Sequence, residues 1–186
     1  MLWEAALVVL GLDWLVWSLA FIRPSRQAAD RKQVALAPAS RWGIVLVGCG
    51  FACLWAYVRP TGFHKSAPLL IASIVLGPPS VVLVWMATRH LGKQWRYAAA
   101  LRADHELITT GPYRWLRHPI YASMLGMFLS TACCWTWWPL FLAGVVFFLA
   151  GTEIRIRAED RLLAEHFGES FLAWRAHTRA YIPFLR

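Results

Sequence analysis

Formal charge is scarce in this 186-residue chain. Asp, Glu, Lys and Arg together make up 16% of it, and residues 118 to 152 contain none of the four. A soluble domain carries about a quarter charged residues, so an uncharged run of that length does not belong on a water-facing surface. Cysteine is sparse too. Cys49, Cys53, Cys133 and Cys134 all lie inside apolar segments or at their tips, and no His or acid stands near Cys49 and Cys53 in sequence. No disulfide framework is implied, and the thiols read as small buried hydrophobes rather than a metal pair. Zinc-ligand spacing, a phosphate-cradling glycine loop and a Ser/His/Asp order are all missing, which leaves hydrolase and kinase readings without support. There is no internal repeat or low-complexity tract. No basic residue precedes the first apolar run and no small-residue cleavage pattern follows it, so that run reads as a retained span rather than a signal peptide.

What is present is apolar and arranged in blocks: 59% hydrophobic residues, including 12 Trp. The first block, about Ala5 to Ile22, is long enough to cross a ~30 Å hydrocarbon core. It contains Asp13, which reads as an interfacial residue of a tilted helix. A second block runs from about Trp42 to Val58, with Gly43, Gly48 and Gly50 expected to permit close helix contact. A third runs from about Pro68 to Thr88 and carries Gly77-Pro78-Pro79, where a Pro pair should kink the helix and free backbone carbonyls. Block 118 to 152 is too long for one span. Trp135-Thr-Trp-Trp-Pro139 divides it into a tight helical hairpin, whose second helix emerges at Glu153 and continues as a charged amphipathic segment to about Thr178.

Charge sets the orientation. The 19 Lys and Arg outnumber the 10 Asp and Glu, but they cluster at the ends of apolar blocks, which is the pattern of membrane anchoring and not of a nucleic-acid groove. The segments after the first and third blocks and the C-terminal tail carry five, six and six cations; the segment after the second block carries two and the hairpin tip none. The expectation is an all-α integral membrane protein with five transmembrane helices, the N-terminus outside and the C-terminus inside. The chain is one domain, 1–186, with a helical scaffold over 1–90 and the chemistry over 91–186. The compact length points to a bacterial inner membrane.

The polar stretch from His105 to Tyr121 concentrates reactive side chains just before the uncharged block. His118 precedes Pro119, so its backbone is biased away from helix and the next helix can begin at the proline. A carboxylate would be welcome at that helix start, beside Arg117 and His118. Past the membrane, Arg155 and Glu159 sit i, i+4 on one helical face. Alone, such a pair is a surface salt bridge worth under ~1 kcal/mol, but its level with the 105–121 loop argues for more. Tyr113 and Tyr121 could serve as interfacial anchors; Phe167, Phe171 and Trp174 form a packing stripe. His64, His90, His166 and His177 have no partner spacing and read as solvent- or headgroup-facing.

His105-x-Leu-Ile-Thr-Thr-Gly-x-Tyr113, then Arg117-His118-Pro119-x-Tyr121, then Glu159-Asp160 and Phe167-Gly168-x-x-Phe171 ending at Ile182-Pro183, resembles the isoprenylcysteine carboxyl methyltransferase family. The likeness covers about Leu91 to Arg186. That family and its relatives, the phospholipid methyltransferases among them, are integral membrane enzymes using S-adenosylmethionine. The resemblance implies that His105, Glu106, Leu107, Ile108, Tyr113, His118, Pro119, Ile120, Tyr121 and Glu159 line the cofactor. It makes Arg155 the substrate-side arginine, and Arg155 and Glu159 the catalytic pair. Two residues depart from the pattern: Ala98 stands where a polar cofactor contact is usual, and Ser123 where glycine is usual. No metal and no nucleic acid enter this reading. The acceptor is expected to be a lipid or lipidated small molecule arriving from the bilayer, with a carboxylate first and a phospholipid amine second. A sterol-reductase-like NADPH enzyme and a non-catalytic membrane scaffold are the alternatives from other classes.

Overall fold

The computed structural model describes residues 1–22, 33–36, 40–56, 64–94, 100–102 and 106–182. Six α-helices dominate: α1 (Leu2–Leu19), α2 (Ser40–Trp55), α3 (Ala67–Leu91), α4 (Pro119–Cys134), α5 (Trp138–Phe167) and α6 (Glu169–His177). Each apolar block has become a helix within a few residues of its expected ends. Three of them, α1, α3 and α5, are long and apolar enough to cross a membrane; α2 and α4 are apolar but only 16 residues each. Large apolar side chains such as Val8, Leu12, Ile71, Val75, Val82 and Val146 are exposed along their flanks, as expected where the solvent is lipid. Strand β1 (Gln33–Leu36) pairs antiparallel with β2 (Ala100–Arg102). This small pairing is an addition to the expected all-α class, and it ties the segments after α1 and α3 together at one end of the bundle.

Helix partners follow small residues. α2 packs chiefly on α5, and α3 on α4, with α1 lying against α3. A Cβ on Gly43 would meet the Gly151 carbonyl at 2.7 Å, and one on Gly50 would meet the Phe148 nitrogen at 2.9 Å and the Gly144 carbonyl at 3.0 Å. Gly43 and Gly50 thus face Gly151 and Gly144 two helical turns apart, and the backbones touch. Gly48, expected to do the same, has nothing near it. Although three residues join α4 to α5, their main helical partners differ, and Phe128, Phe141 and Phe148 fill the space between them.

Asp13 is buried between helices. It is only 9% exposed and lies so close to Gly77 of α3 that any side chain there would strike its carboxylate. Nearby, Trp14 Nε1 donates to Thr131 Oγ1 at 3.0 Å, and Ser130 Oγ donates to the Ser73 carbonyl at 2.9 Å. Pro78 and Pro79 lie inside α3, which stays helical through them.

α5 runs unbroken for 30 residues, through and beyond its apolar part. The charged tail is therefore two helices rather than one segment, separated at Gly168, whose φ of 54° favours glycine.

Candidate functional site

The site forms where the apolar part of α5 ends and its charged part begins. α4 starts at Pro119, with His118 as the capping residue. Just before it, residues 115–118 pair with the C-terminal segment: Arg117 N donates to the Arg179 carbonyl at 2.7 Å, His118 N to the Ala180 carbonyl at 2.8 Å, and Arg179 N to the Trp115 carbonyl at 3.1 Å. The tail thus holds His118 in place, and α5 brings two consecutive carboxylates to it. His118 Nε2 lies 2.9 Å from Asp160 Oδ1, and Nδ1 lies 3.4 Å from Glu159 Oε2. A planar imidazole bridges both acids beside the start of α4, where negative charge is favoured.

Glu159 is also the hub for the remaining groups. Tyr121 donates its hydroxyl to Glu159 Oε1 at 2.5 Å, and Arg155 Nη2 lies 3.4 Å from the same oxygen. Arg155 Nε donates to the Tyr121 hydroxyl oxygen at 2.6 Å, and its guanidinium stands 5.5 Å from the Tyr121 ring centre. Arg155 is only 8% exposed. Its aliphatic stem fits because position 43 is glycine: a Cβ there would come within 2.5 Å of Arg155 Cγ. One small residue in α2 therefore admits a guanidinium to the end of the bundle.

The electrostatics follow from this closed arrangement. Burial alone pushes the His118 imidazole down, but its hydrogen bonds to Asp160 and Glu159 outweigh that and hold it above its ordinary value. Burial pushes Glu159 up, yet His118 and Arg155 bring it below the usual carboxylate range. Asp160 is likewise lowered against its burial, by His118 and then Arg117. Burial, with Glu159 close by, raises the Tyr113 phenol. The network favours the charged form of the imidazole between two carboxylates and the neutral form of the Tyr113 phenol.

Of the residues named from sequence, Tyr113, His118, Pro119 and Tyr121 are buried here, and Ile120 is half-buried. Arg155 and Glu159 join the network directly. Leu107 and Ile108 are half-buried on the approach to Gly111. Glu106 is exposed, and its backbone N–H donates to Gln94 Oε1 at 3.3 Å. His105 and Ala98 lie outside the described residues. Trp174, read as part of a packing stripe, also donates to the Tyr113 carbonyl at 3.2 Å. His90 is exposed as expected, but its ring rests against Gly111, whose φ is 60°. Among the described residues no group of three His, Cys, Asp or Glu is disposed to hold a metal ion.

Asp160 and Arg117, named in the motif but given no role there, and Ser123, named as a departure, also take part in these contacts. Asp160 engages His118 and Arg117, and Arg117 donates to the Thr178 carbonyl at 2.5 Å while its Nη2 lies 3.4 Å from Asp160 Oδ2. The available signal was two adjacent acids in a tail facing an Arg-His-Pro turn. Ser123, the departure at a glycine position, is fully buried: it accepts from Trp17 Nε1 at 2.7 Å and donates to the Ser80 carbonyl at 2.8 Å. It fastens α1 to α3 and α4 one turn below Pro119.

Comparison with known proteins covers the same region. The profile of the isoprenylcysteine carboxyl methyltransferase family matches residues 70–165. The chain is 30% identical over 96 residues to YpbQ of Bacillus subtilis (strain 168), described as uncharacterized, covering 52% of this chain and 56% of that one. It is 33% identical over 94 residues to the protein-S-isoprenylcysteine O-methyltransferase of Saccharomyces cerevisiae, covering 45% of this chain and 35% of that one. The matches thus span about half the length of the first relative and about a third of the second.

Proposed function

The chain belongs to the isoprenylcysteine carboxyl methyltransferase family, and from that premise we propose that it transfers a methyl group from S-adenosylmethionine to a lipid or lipidated acceptor held in the membrane, with a carboxylate as the accepting group. In this reading α1 to α5 all span the bilayer, α4 and α5 forming a hairpin. The 16-residue helices α2 and α4, about 24 Å long at ~1.5 Å per residue, serve as short spans. The N-terminus lies outside, and the site and C-terminus are cytosolic, on the side carrying the three cation-rich segments.

The observation that carries the reading is the convergence of Tyr121, Arg155, Glu159 and His118 in one hydrogen-bonded group at the membrane's edge. A carboxylate beside tyrosine rings suits a sulfonium cation. Glu159, Tyr113, His118 and Tyr121 would hold the cofactor, with Leu107, Ile108 and the start of α4 alongside; when bound, it supplies an electrophilic methyl group. The acceptor carboxylate is ionised at neutral pH, so no general base is required. Arg155 orients it, and the chain's main contribution is alignment, which can supply about 7 kcal/mol or more. The acceptor's lipid part enters sideways between helices. A second reading, an amine acceptor, would require the Glu159 carboxylate, unprotonated in the network, to take up the proton that the amine loses on methylation.

The test is incubation of purified protein with methyl-labelled S-adenosylmethionine and total membrane lipid, followed by base treatment. Volatile methanol indicates an ester, and base-stable label an amine. No label in any lipid fraction, together with NADPH binding, overturns methyl transfer in favour of the reductase-like alternative.

A further inference from the structure

Next to the carboxylate network, on a different face of α5, lies a cavity of about 480 Å³ between α5, α6 and the C-terminal segment. Five of its lining residues are arginines: Arg117, Arg157, Arg161, Arg175 and Arg179. Among the described residues the only acid lining it is Asp160, and both Asp160 oxygens are engaged, one by His118 and one by Arg117. Arg157 and Arg161 make i, i+4 pairs with Glu153 and Glu165 at 2.6 and 2.8 Å, but these acids do not line the cavity. Even counting both, five cations meet three acids around this space among the described residues. Guanidinium groups facing a common cavity repel one another until an anion enters it. Their planar, multi-donor form matches phosphate oxygens in a way that point charges do not.

The level of the cavity narrows the ligand further. The uncharged block ends at Thr152, and Arg157 follows five residues later on a continuous helix. At ~1.5 Å per residue, that places the Arg157 backbone roughly 7.5 Å beyond the apolar segment, at the outer limit of the ~5–7.5 Å headgroup layer of a bilayer, within reach of its phosphates for a long arginine side chain. Arg161 lies one turn further out. Basic pockets at this level meet the phosphates of anionic lipids.

We propose that this arginine-lined cavity is a binding site for a phosphate group, distinct from the Arg155–Glu159 network, and that the group which normally fills it is the phosphate of an anionic lipid headgroup. Such a ligand joins α5 to α6 and to Arg117, and Arg117 holds Asp160, which in turn holds His118. Occupancy of the cavity therefore steadies the turn that carries the site. The proposal does not rest on methyl transfer, because the two sets of residues share no side chain that contacts the acceptor.

The experiment uses the full chain in nanodiscs of phosphatidylcholine, with and without phosphatidylglycerol, and separately in detergent with inorganic phosphate or pyrophosphate. Lipid retention is read by native mass spectrometry and thermal midpoint by fluorescence. The expected result is retention of phosphatidylglycerol over phosphatidylcholine and a raised midpoint. In Arg175→Gln/Arg179→Gln, affinity should fall by about tenfold or more, the loss of one to two charge-assisted hydrogen bonds. Arg114→Gln, an exposed arginine outside the cavity, should change nothing. If the double variant fails to fold, Arg157→Gln/Arg161→Gln, on the exposed surface of α5, carries the same comparison. Competition by inorganic phosphate or pyrophosphate points to a soluble source of the group; its absence, with phosphatidylglycerol retained, points to the lipid. Equal retention of both lipids with no response to inorganic phosphate or pyrophosphate overturns the proposal. So does loss that is as large in Arg114→Gln, or displacement of the lipid by S-adenosylhomocysteine, which would assign the cavity to the cofactor.

Discussion

Two sets of polar contacts fasten this bundle, and they are built from different chemistry. Inside the apolar region, α1, α3 and α4 are joined by uncharged donors and acceptors: Trp14 to Thr131, Trp17 to Ser123 to the Ser80 carbonyl, and Ser130 to the Ser73 carbonyl. At the charged end the joints are ionic: Arg117, His118 and Arg155 against Asp160 and Glu159. Hydroxyl and indole groups can be buried in lipid once paired, whereas a carboxylate there is costly. Asp13 is an exception, buried against Gly77 of α3; the ion pairs themselves gather where the apolar part of α5 ends. The neutral joints set shape and the ionic ones are free to set reactivity, so disturbing each set should have different consequences.

The largest effect is expected at Arg155. Arg155→Ala should lower turnover by about 10³-fold, the scale of removing one oriented cation from a developing charge, while S-adenosylhomocysteine affinity measured by calorimetry stays near wild type. Equal loss of both would remove Arg155 from the acceptor side. Next is Glu159→Ala, which strands His118 and Arg155 without their shared partner. Removing one member of a buried pair costs about 3–5 kcal/mol, visible as a lowered denaturation midpoint, and cofactor binding should vanish with it. A variant that stays stable and binds cofactor would break the view of Glu159 as the hub.

Gly50→Ala tests the intramembrane side. The added methyl meets the Phe148 nitrogen and the Gly144 carbonyl, and overpacking of this kind costs roughly 1–3 kcal/mol. Gly48→Ala, facing open space, is the matched control and should be silent. pH separates the two sets more cleanly. His118 is raised, so its contribution is complete below the ordinary imidazole value and is lost as pH climbs through the raised one. Glu159 and Asp160 are lowered, so theirs is present above the ordinary carboxylate value and fades as pH falls through the lowered ones. Stability against pH should therefore fall on both sides of a plateau, and His118→Gln should flatten the alkaline side. Smallest of all, Ser123→Ala should cost about 1 kcal/mol, two hydrogen bonds at the ~0.6 kcal/mol average for membrane helices, and leave the shape of that pH curve unchanged. If Ser123→Ala altered the shape, the division between neutral and ionic joints would fail.

The sequence reveals where helices start and stop because apolar blocks and flanking cations are one-dimensional signals. It also groups Tyr121, Arg155 and Glu159, since motif spacing survives folding. Partner choice is harder to read. Helices that meet lipid on one side and protein on the other are apolar all round, so periodicity does not say that α4 lies on α3 and α5 on α2. Gly43 and Gly50 look the same as Gly48 until the facing glycines of α5 are known. Asp13 reads as an interfacial charge because its cover comes from Gly77, more than sixty residues away. Asp160 stands in the motif without an assigned role because that role depends on the tail pairing with residues 115–118, a backbone contact with no side-chain signature.

α5 is a single rod. The same helix whose Gly144 and Gly151 are pressed against α2 carries Arg155 and Glu159 a turn or two beyond, and no hinge intervenes before Gly168. A change in the pitch of that rod within the lipid, as a thinner or thicker bilayer would impose, is handed on to the guanidinium and carboxylate as a sideways displacement. The intramembrane packing of α5 and the position of Arg155 and Glu159 are thus one mechanical unit.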